Sequence, residues 1–261
     1  MKAVLSIAGS DSSGGAGIQA DIKTIQSLGL FAETAITALT AQNTCGVRAV
    51  QEATPDMVAQ QIDAVFEDIP PQAVKVGMAP SAAIIEAVAE RLSCHQAKHI
   101  VVDPVMVATS GARLIGEDAL SALMDKLIPL AEVVTPNMPE AQVLSGMPVD
   151  DDASMLEAGR RIVQRHVGVA VLVKGGHGAS ADDVLVRPDG SHAWFRASRV
   201  DTPNTHGTGC TLSSAIAVGL AQGLSVADAI ACAKRYVTGA LSTELNLGKG
   251  SGPLNHMWNH R

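Results

Sequence analysis

Short apolar runs alternate along the chain with longer segments whose apolar residues recur every three or four positions. Residues 3–8, 73–76, 100–102, 132–135 and 169–173 read as strands, and 32–37 is a further candidate. Ile18, Ile22 and Ile25 share one face of a helix predicted over 16–28. Residues 54–69 open with Thr-Pro-Asp, which supplies a cap and a first turn. They then place Met57, Ile62, Val65, Phe66 and Ile69 on an apolar stripe. Helices are also predicted over 81–92, 117–127, 154–166, 208–222 and 226–243. Two short runs, 184–187 and 192–196, flank Pro-Asp-Gly-Ser and read as a hairpin.

Strands alternating with helices imply an α/β fold whose mainly parallel sheet is covered on both faces. Residues 100–102 and 169–173 lack polar alternation, as strands buried on both sides require. The late hairpin breaks the alternation and is expected at one sheet edge. No linker, repeat or low-complexity stretch interrupts the pattern, so residues 1–261 are expected to form one domain. In such folds ligands sit beyond the carboxyl ends of the strands. That directs attention to the loops 9–17, 103–111, 135–140 and 174–178, and to the start of the helix at Thr208.

Composition narrows the function classes. The chain has 261 residues, of which 47% are hydrophobic and 17% charged, which excludes a disordered tail protein. Aromatics are only 2% and the net charge is −7, so no nucleic-acid partner is expected: such binders need basic surface and stacking rings. Cys45, Cys94, Cys210 and Cys232 form no C-x-x-C pair, which suggests neither a zinc site nor a disulfide framework. The apolar run 3–9 is followed by Asp11 and reads as a first strand rather than a signal peptide. No apolar stretch approaches a membrane span, so no membrane partner and a cytoplasmic location are expected.

The strongest candidate chemistry is NTHGTGC over 204–210, a polar glycine turn that runs into a long apolar helix. Unpaired N–H groups and the positive dipole end at a helix N-terminus suit a phosphate. Gly207 and Gly209 let the backbone approach an anion. Cys210 falls in the first turn, where a thiol pKa can be lowered. A plain glycine-rich helix start with a small buried cysteine is the bland alternative. The segment is neither a Walker A loop nor a dinucleotide fingerprint.

Lys174, at a strand end beside Gly-Gly, can neutralise phosphate charge or simply be an exposed lysine in a turn. Asn137 and Glu140 fit a capping box equally well as a hydrated Mg²⁺ site. Asp103 could join that metal or cap a turn. Asp21 could be an ordinary helix residue, and Gln42-Asn43 a polar turn.

Taken in order, IAGSDSSGGAGIQAD over 7–21, ALTAQNT over 38–44, KVGM over 75–78, DPVM over 103–106, TPNMPEA over 135–141, VKGGH over 173–177, NTHGTGC over 204–210 and GKG over 248–250 resemble the vitamin-kinase branch of the ribokinase superfamily. Within it they are most similar to the hydroxymethylpyrimidine/phosphomethylpyrimidine kinases of thiamine biosynthesis. The resemblance implies a ribokinase-like three-layer α/β/α fold and a homodimer. It also implies ATP- and Mg²⁺-dependent phosphorylation of a hydroxymethylpyrimidine, then of its monophosphate.

Sugar kinases of the superfamily carry Asp where this chain has Cys210, a departure shared with vitamin kinases. On the resemblance, the Gly207, Thr208 and Gly209 amides would hold the moving phosphoryl group and Cys210 would take the hydroxyl proton or position it. Lys174 would meet ATP phosphate, with Lys234 and Asn137 near the nucleotide. Glu140, Asn137 and Asp103 would hold Mg²⁺. Gln42 would read the aminopyrimidine edge, with Gly9, Ala16, Asp21, Met78 and Val105 around the ring.

Three rivals are distinguishable. A pyridoxal/pyridoxine kinase would share the mechanism, and Gln42 favours the pyrimidine. A non-catalytic nucleotide- or vitamin-binding sensor would tolerate loss of Cys210 or Lys174, and both are present. A cysteine hydrolase would need a His poised on Cys210, for which His206 is close in sequence.

Overall fold

The computed structural model describes residues 1–106, 116–176 and 181–260. Part of the 103–111 loop, and His177 and Gly178 of the 174–178 loop, therefore lie outside the described residues. Nine strands form one sheet in the order β3-β2-β1-β4-β5-β6-β7-β8-β9. They are β1 (Ala3–Asp11), β2 (Phe31–Asn43), β3 (Gly46–Glu52), β4 (Ala73–Val76), β5 (Ile100–Val102), β6 (Val133–Val134), β7 (Ala170–Val173), β8 (Asp183–Val186) and β9 (His192–Phe195). The six strands from β2 to β7 are mutually parallel. The hairpin β8–β9 lies at one edge, as its sequence predicts, and pairs antiparallel.

The helices are α1 (Gly17–Ser27), α2 (Pro55–Asp68), α3 (Ala82–Cys94), α4 (Glu117–Ala122), α5 (Met138–Ser145), α6 (Asp152–Arg165), α7 (Thr208–Gln222) and α8 (Val226–Leu241). Residue parity along the strands sorts side chains to the two faces. Val74, Val76, Val102, Val134 and Val171 bury against α2 to α6. Val4, Ala73, Val101, Val133 and Leu172 bury against α1, α7 and α8. The result is the expected three-layer α/β/α arrangement.

Three local differences have physical causes. β3 was not anticipated, because its sequence GVRAVQE is solvent-facing and lacks a buried alternation. It pairs antiparallel with β2, so Gln42 and Asn43 sit in a strand rather than in a polar turn. The helix predicted over 117–127 is α-helical only to Ala122, then widens over Leu123–Leu127 and tightens over Ile128–Leu130. Pro129 brings no backbone N–H to that last turn.

Candidate functional site

At the carboxyl end of the sheet, a cavity of about 210 Å³ opens between the ends of β1, β4, β5, β6 and β7, the β2–β3 pair and the start of α7. Of the expected residues, Gly9, Ala16, Gln42, Met78, Val105, Asp103, Asn137, Glu140, Lys174, Gly207, Thr208, Gly209 and Cys210 all line it. Asp21 does not.

Gly207 caps α7 with φ +87°, and a Cβ there would sit 1.9 Å from the Gly15 carbonyl oxygen. Only glycine fits. No side chain caps this helix, so its first N–H groups are left to face the cavity. Lys174 Nζ reaches Asp103 Oδ1 at 2.8 Å. A Cβ on Gly209 would lie 3.4 Å from both Lys174 Nζ and Asp103 Oδ2. The ion pair therefore lies directly against the helix start. Thr135 Oγ1 donates to Asp103 Oδ1 at 3.1 Å. Burial raises the Asp103 carboxyl, but Lys174 and Lys75 outweigh it and hold it below the usual range. Burial likewise disfavours the Lys174 charge, and Asp103 with Glu140 reverse the effect.

Asn137 and Glu140 form both halves of a capping box on α5: Glu140 N donates to Asn137 Oδ1 at 2.9 Å and Asn137 N to Glu140 Oε2 at 2.8 Å. The same two residues also line the cavity. Burial pushes Glu140 up to about 7, against the pull of Lys174 and with a further push from Asp103. Among the described residues no group of three or more His, Cys, Asp or Glu side chains could hold a metal. With Asp103 engaged by Lys174, the donor set suits a hydrated Mg²⁺ that keeps its waters and takes further oxygens from phosphates, not an all-protein cage.

Asp21 requires a correction. Its side chain is fully buried beneath the cavity, with Lys75 Nζ at 2.8 Å, Ser6 Oγ at 2.6 Å and Ser214 Oγ at 2.7 Å. Lys75 is also fully buried, and burial of its charge is outweighed by Asp21, Cys210 and Asp103. A lysine inside the apolar strand AVKV was the overlooked signal, since a buried charge demands a partner. The Cys210 thiol is not lowered as its helix position suggests. Burial pushes it up to about 11, with Lys75 pulling the other way.

Met78 and Val105 line the cavity as apolar walls, joined by Val47 and Val50 of the unanticipated β3. A register shift between Ala41 and Gln42 re-aims β2 there. Asp11 and His206 also line the cavity and were not singled out for it. His206 Nε2 lies 2.8 Å from Asp11 Oδ2 and 3.3 Å from Gln42 Nε2, so that nitrogen serves these groups rather than the Cys210 thiol a hydrolase would pair it with. Lys234 lines an adjoining cavity of about 440 Å³, which shares Asn137, Lys174, Thr208 and Gly209 with the first. There it binds Asp183 and the Ala181 carbonyl.

Comparison with known proteins adds to this geometry. The family described as phosphomethylpyrimidine kinase matches residues 11–255. The thiamine biosynthesis bifunctional protein ThiED of Geobacter sulfurreducens is 51% identical over 97% of this chain, which spans about half (52%) of that protein's length. The hydroxymethylpyrimidine/phosphomethylpyrimidine kinase of Rhizobium meliloti is 48% identical, with 97% of this chain and 96% of that protein covered. Among solved structures, the ADP complex of Bacillus subtilis pyridoxal kinase superposes with a TM-score of 0.92. It is 36% identical, with 100% of this chain and 99% of that one covered.

Proposed function

The chain belongs to the phosphomethylpyrimidine kinase family, and we propose that its cavity performs ATP-dependent phosphorylation with the residues set out above. The acceptor is 4-amino-5-hydroxymethyl-2-methylpyrimidine, and then its monophosphate, in thiamine biosynthesis, as the names of the related kinases indicate. One observation carries the assignment of parts. An uncapped helix start and a lysine line the same cavity as the Gln42 amide and the apolar side chains of Met78, Val105, Val47 and Val50.

Phosphoryl transfer needs positioning and charge neutralisation more than covalent chemistry. Lys174 meets the transferring phosphoryl oxygens while Asp103 holds its ammonium in place. The Gly207, Thr208 and Gly209 amides receive the negative charge of that group. Cys210 Sγ orients the acceptor hydroxyl, and its thiolate form takes the proton. Glu140, Asn137 and Asp103 would hold Mg²⁺. When bound, that ion neutralises phosphate charge. Lys234 and Asn137 lie on the nucleotide side. The protein is read as one kinase domain and as a cytoplasmic homodimer. Among the described residues no helix is long and apolar enough to cross a membrane, and the exposed edge strand β3 offers a face to a second copy.

The test is ADP release with ATP and Mg²⁺, offering hydroxymethylpyrimidine and pyridoxal separately and reading product masses. Higher kcat/KM for the pyrimidine, with mono- and diphosphate products, supports the assignment. Preference for pyridoxal moves the protein to pyridoxal kinase activity with the same machinery. Pyrimidine binding without turnover of either compound replaces the enzyme with a sensor.

A further inference from the structure

Asp11, His206 and Thr40 meet beside Gln42, and the reaction above leaves them without a role. The Asp11 carboxylate is buried and accepts from Ser13 N at 2.8 Å, Gly15 N at 3.1 Å and Ala16 N at 2.9 Å. Burial would raise its pKa, but hydrogen bonds from His206, Ser13 and Ala16 hold it far below the carboxylate range. An ionised carboxylate only accepts, so the His206 Nε2 that lies 2.8 Å from it must carry a hydrogen.

That hydrogen settles the next link. With the Gln42 nitrogen turned to His206 at 3.3 Å, a donor faces a donor. At the other end, Gln42 Oε1 lies 3.3 Å from Thr40 Oγ1, whose hydrogen is directed to the Ser10 carbonyl at 3.0 Å. There an acceptor faces an acceptor. A half-turn of the amide cures the Thr40 mismatch and replaces the donor–donor contact at His206 with an oxygen beside the N–H that Asp11 already accepts. Oε1 then takes the longer, 3.3 Å share of the Nε2 hydrogen whose nearer acceptor is Asp11 at 2.8 Å, and the NH₂ group donates to Thr40. Each keeps one free valence: a lone pair on Oε1 and a hydrogen on nitrogen.

We infer that His206, held by Asp11, is a positioning residue that fixes the Gln42 amide with its oxygen toward the imidazole and so sets the hydrogen-bonding edge offered to the acceptor ring. The inference rests on the pyrimidine-kinase reading. An acceptor-and-donor edge is complementary to an exocyclic amine beside a ring nitrogen. The surroundings are rigid enough for this. The Gln42 backbone donates to and accepts from the Ser12 hydroxyl, both at 2.8 Å. The His206 ring abuts Gly15, where a Cβ would sit 2.4 Å from its Cδ2.

The test is a double-mutant cycle of Gln42→Ala and His206→Leu, with His206→Gln as the conservative variant, reading kcat/KM for hydroxymethylpyrimidine and pyridoxal together with KM for ATP. His206→Leu is expected to lower pyrimidine kcat/KM by about tenfold, mainly through pyrimidine KM. It should add little in the Gln42→Ala background. His206→Gln, whose amide nitrogen can donate to Asp11 from the place of Nε2, should recover most of the loss. Losses that multiply overturn the inference. Independently of any variant, ¹⁵N shifts of the wild-type His206 ring should show Nε2 protonated, and a ring protonated only at Nδ1 overturns it. Wild-type protein that does not turn over the pyrimidine defeats the kinase reading instead, and the ring shifts still report on the amide.

Discussion

Lys174→Met separates what the lysine does for the fold from what it does for phosphate. Lys174 and Asp103 are 14% and 3% exposed at 2.8 Å, so the substitution strands a buried carboxylate. Removing one partner of a buried pair costs about 3–5 kcal/mol. Asp103 keeps Thr135 Oγ1 at 3.1 Å and Ser213 Oγ at 3.4 Å, which places the expected loss near the lower end, ~3 kcal/mol. For a chain of this size that lowers Tm by about 6–12 °C. The Asp103 pKa is depressed in the folded state, so the pair's contribution is present above the ordinary carboxylate range and lost as pH falls through the folded value. The Tm gap should therefore be full at neutral pH and narrow in acid. Adding Asp103→Asn should restore most of the Tm, because no charge is then stranded, while kcat stays down by about 10²–10³. Differential scanning fluorimetry and the ADP-release assay on both variants decide it. A single variant with wild-type Tm, or a double variant with recovered kcat, refutes the reasoning.

Gly207→Ala forces a Cβ to within 1.9 Å of the Gly15 carbonyl at a φ of +87°, and kcat should fall by about 10²–10³ with a lower Tm. Wild-type kcat would remove the anion role from this helix start. Cys210→Ala should lower kcat and leave KM for ATP near its original value, and a normal kcat refutes the role. With the thiol near 11, roughly one molecule in 10⁴ holds a thiolate at pH 7. Wild-type kcat should therefore climb as pH rises from 7 towards 10, and a flat profile excludes proton transfer to Cys210. Lys75→Met should destabilise the protein by about 3 kcal/mol in a denaturant melt, because Asp21 is left fully buried with two hydroxyls and no cation. An unchanged midpoint would refute that.

How far the sequence spoke depended on burial. β4, β5 and α7 have the predicted bounds, because strands buried on both faces and a long apolar helix leave mainly hydrophobic runs, interrupted in β4 by Lys75. β3 is solvent-facing and has no such run, so its Val47 and Val50 were missing from the expected cavity wall. Residues that follow strands, such as Lys174 and Asn137, were legible because topology alone puts them at one end of the sheet. The Asp11–His206 contact joins residues 195 positions apart, and no local pattern could announce it. Asp21 was misplaced because its motif neighbours face the cavity, whereas its own helix turns it towards Lys75 and Ser214. The position of Cys210 in the first helical turn allows a lowered pKa, and only the fold shows that its burial outweighs that.

The walls of the cavity come from different stretches of chain. Thr40, Gln42, Val47 and Val50 belong to β2–β3, whereas Asn137 and Lys174 follow β6 and β7 and Gly209 opens α7. Choice of vitamin and handling of phosphate can therefore evolve at separate rates. Drift in one antiparallel edge ribbon retunes the acceptor while the transfer apparatus is inherited intact. Transplanting residues 38–52 between relatives would be the laboratory counterpart of that history.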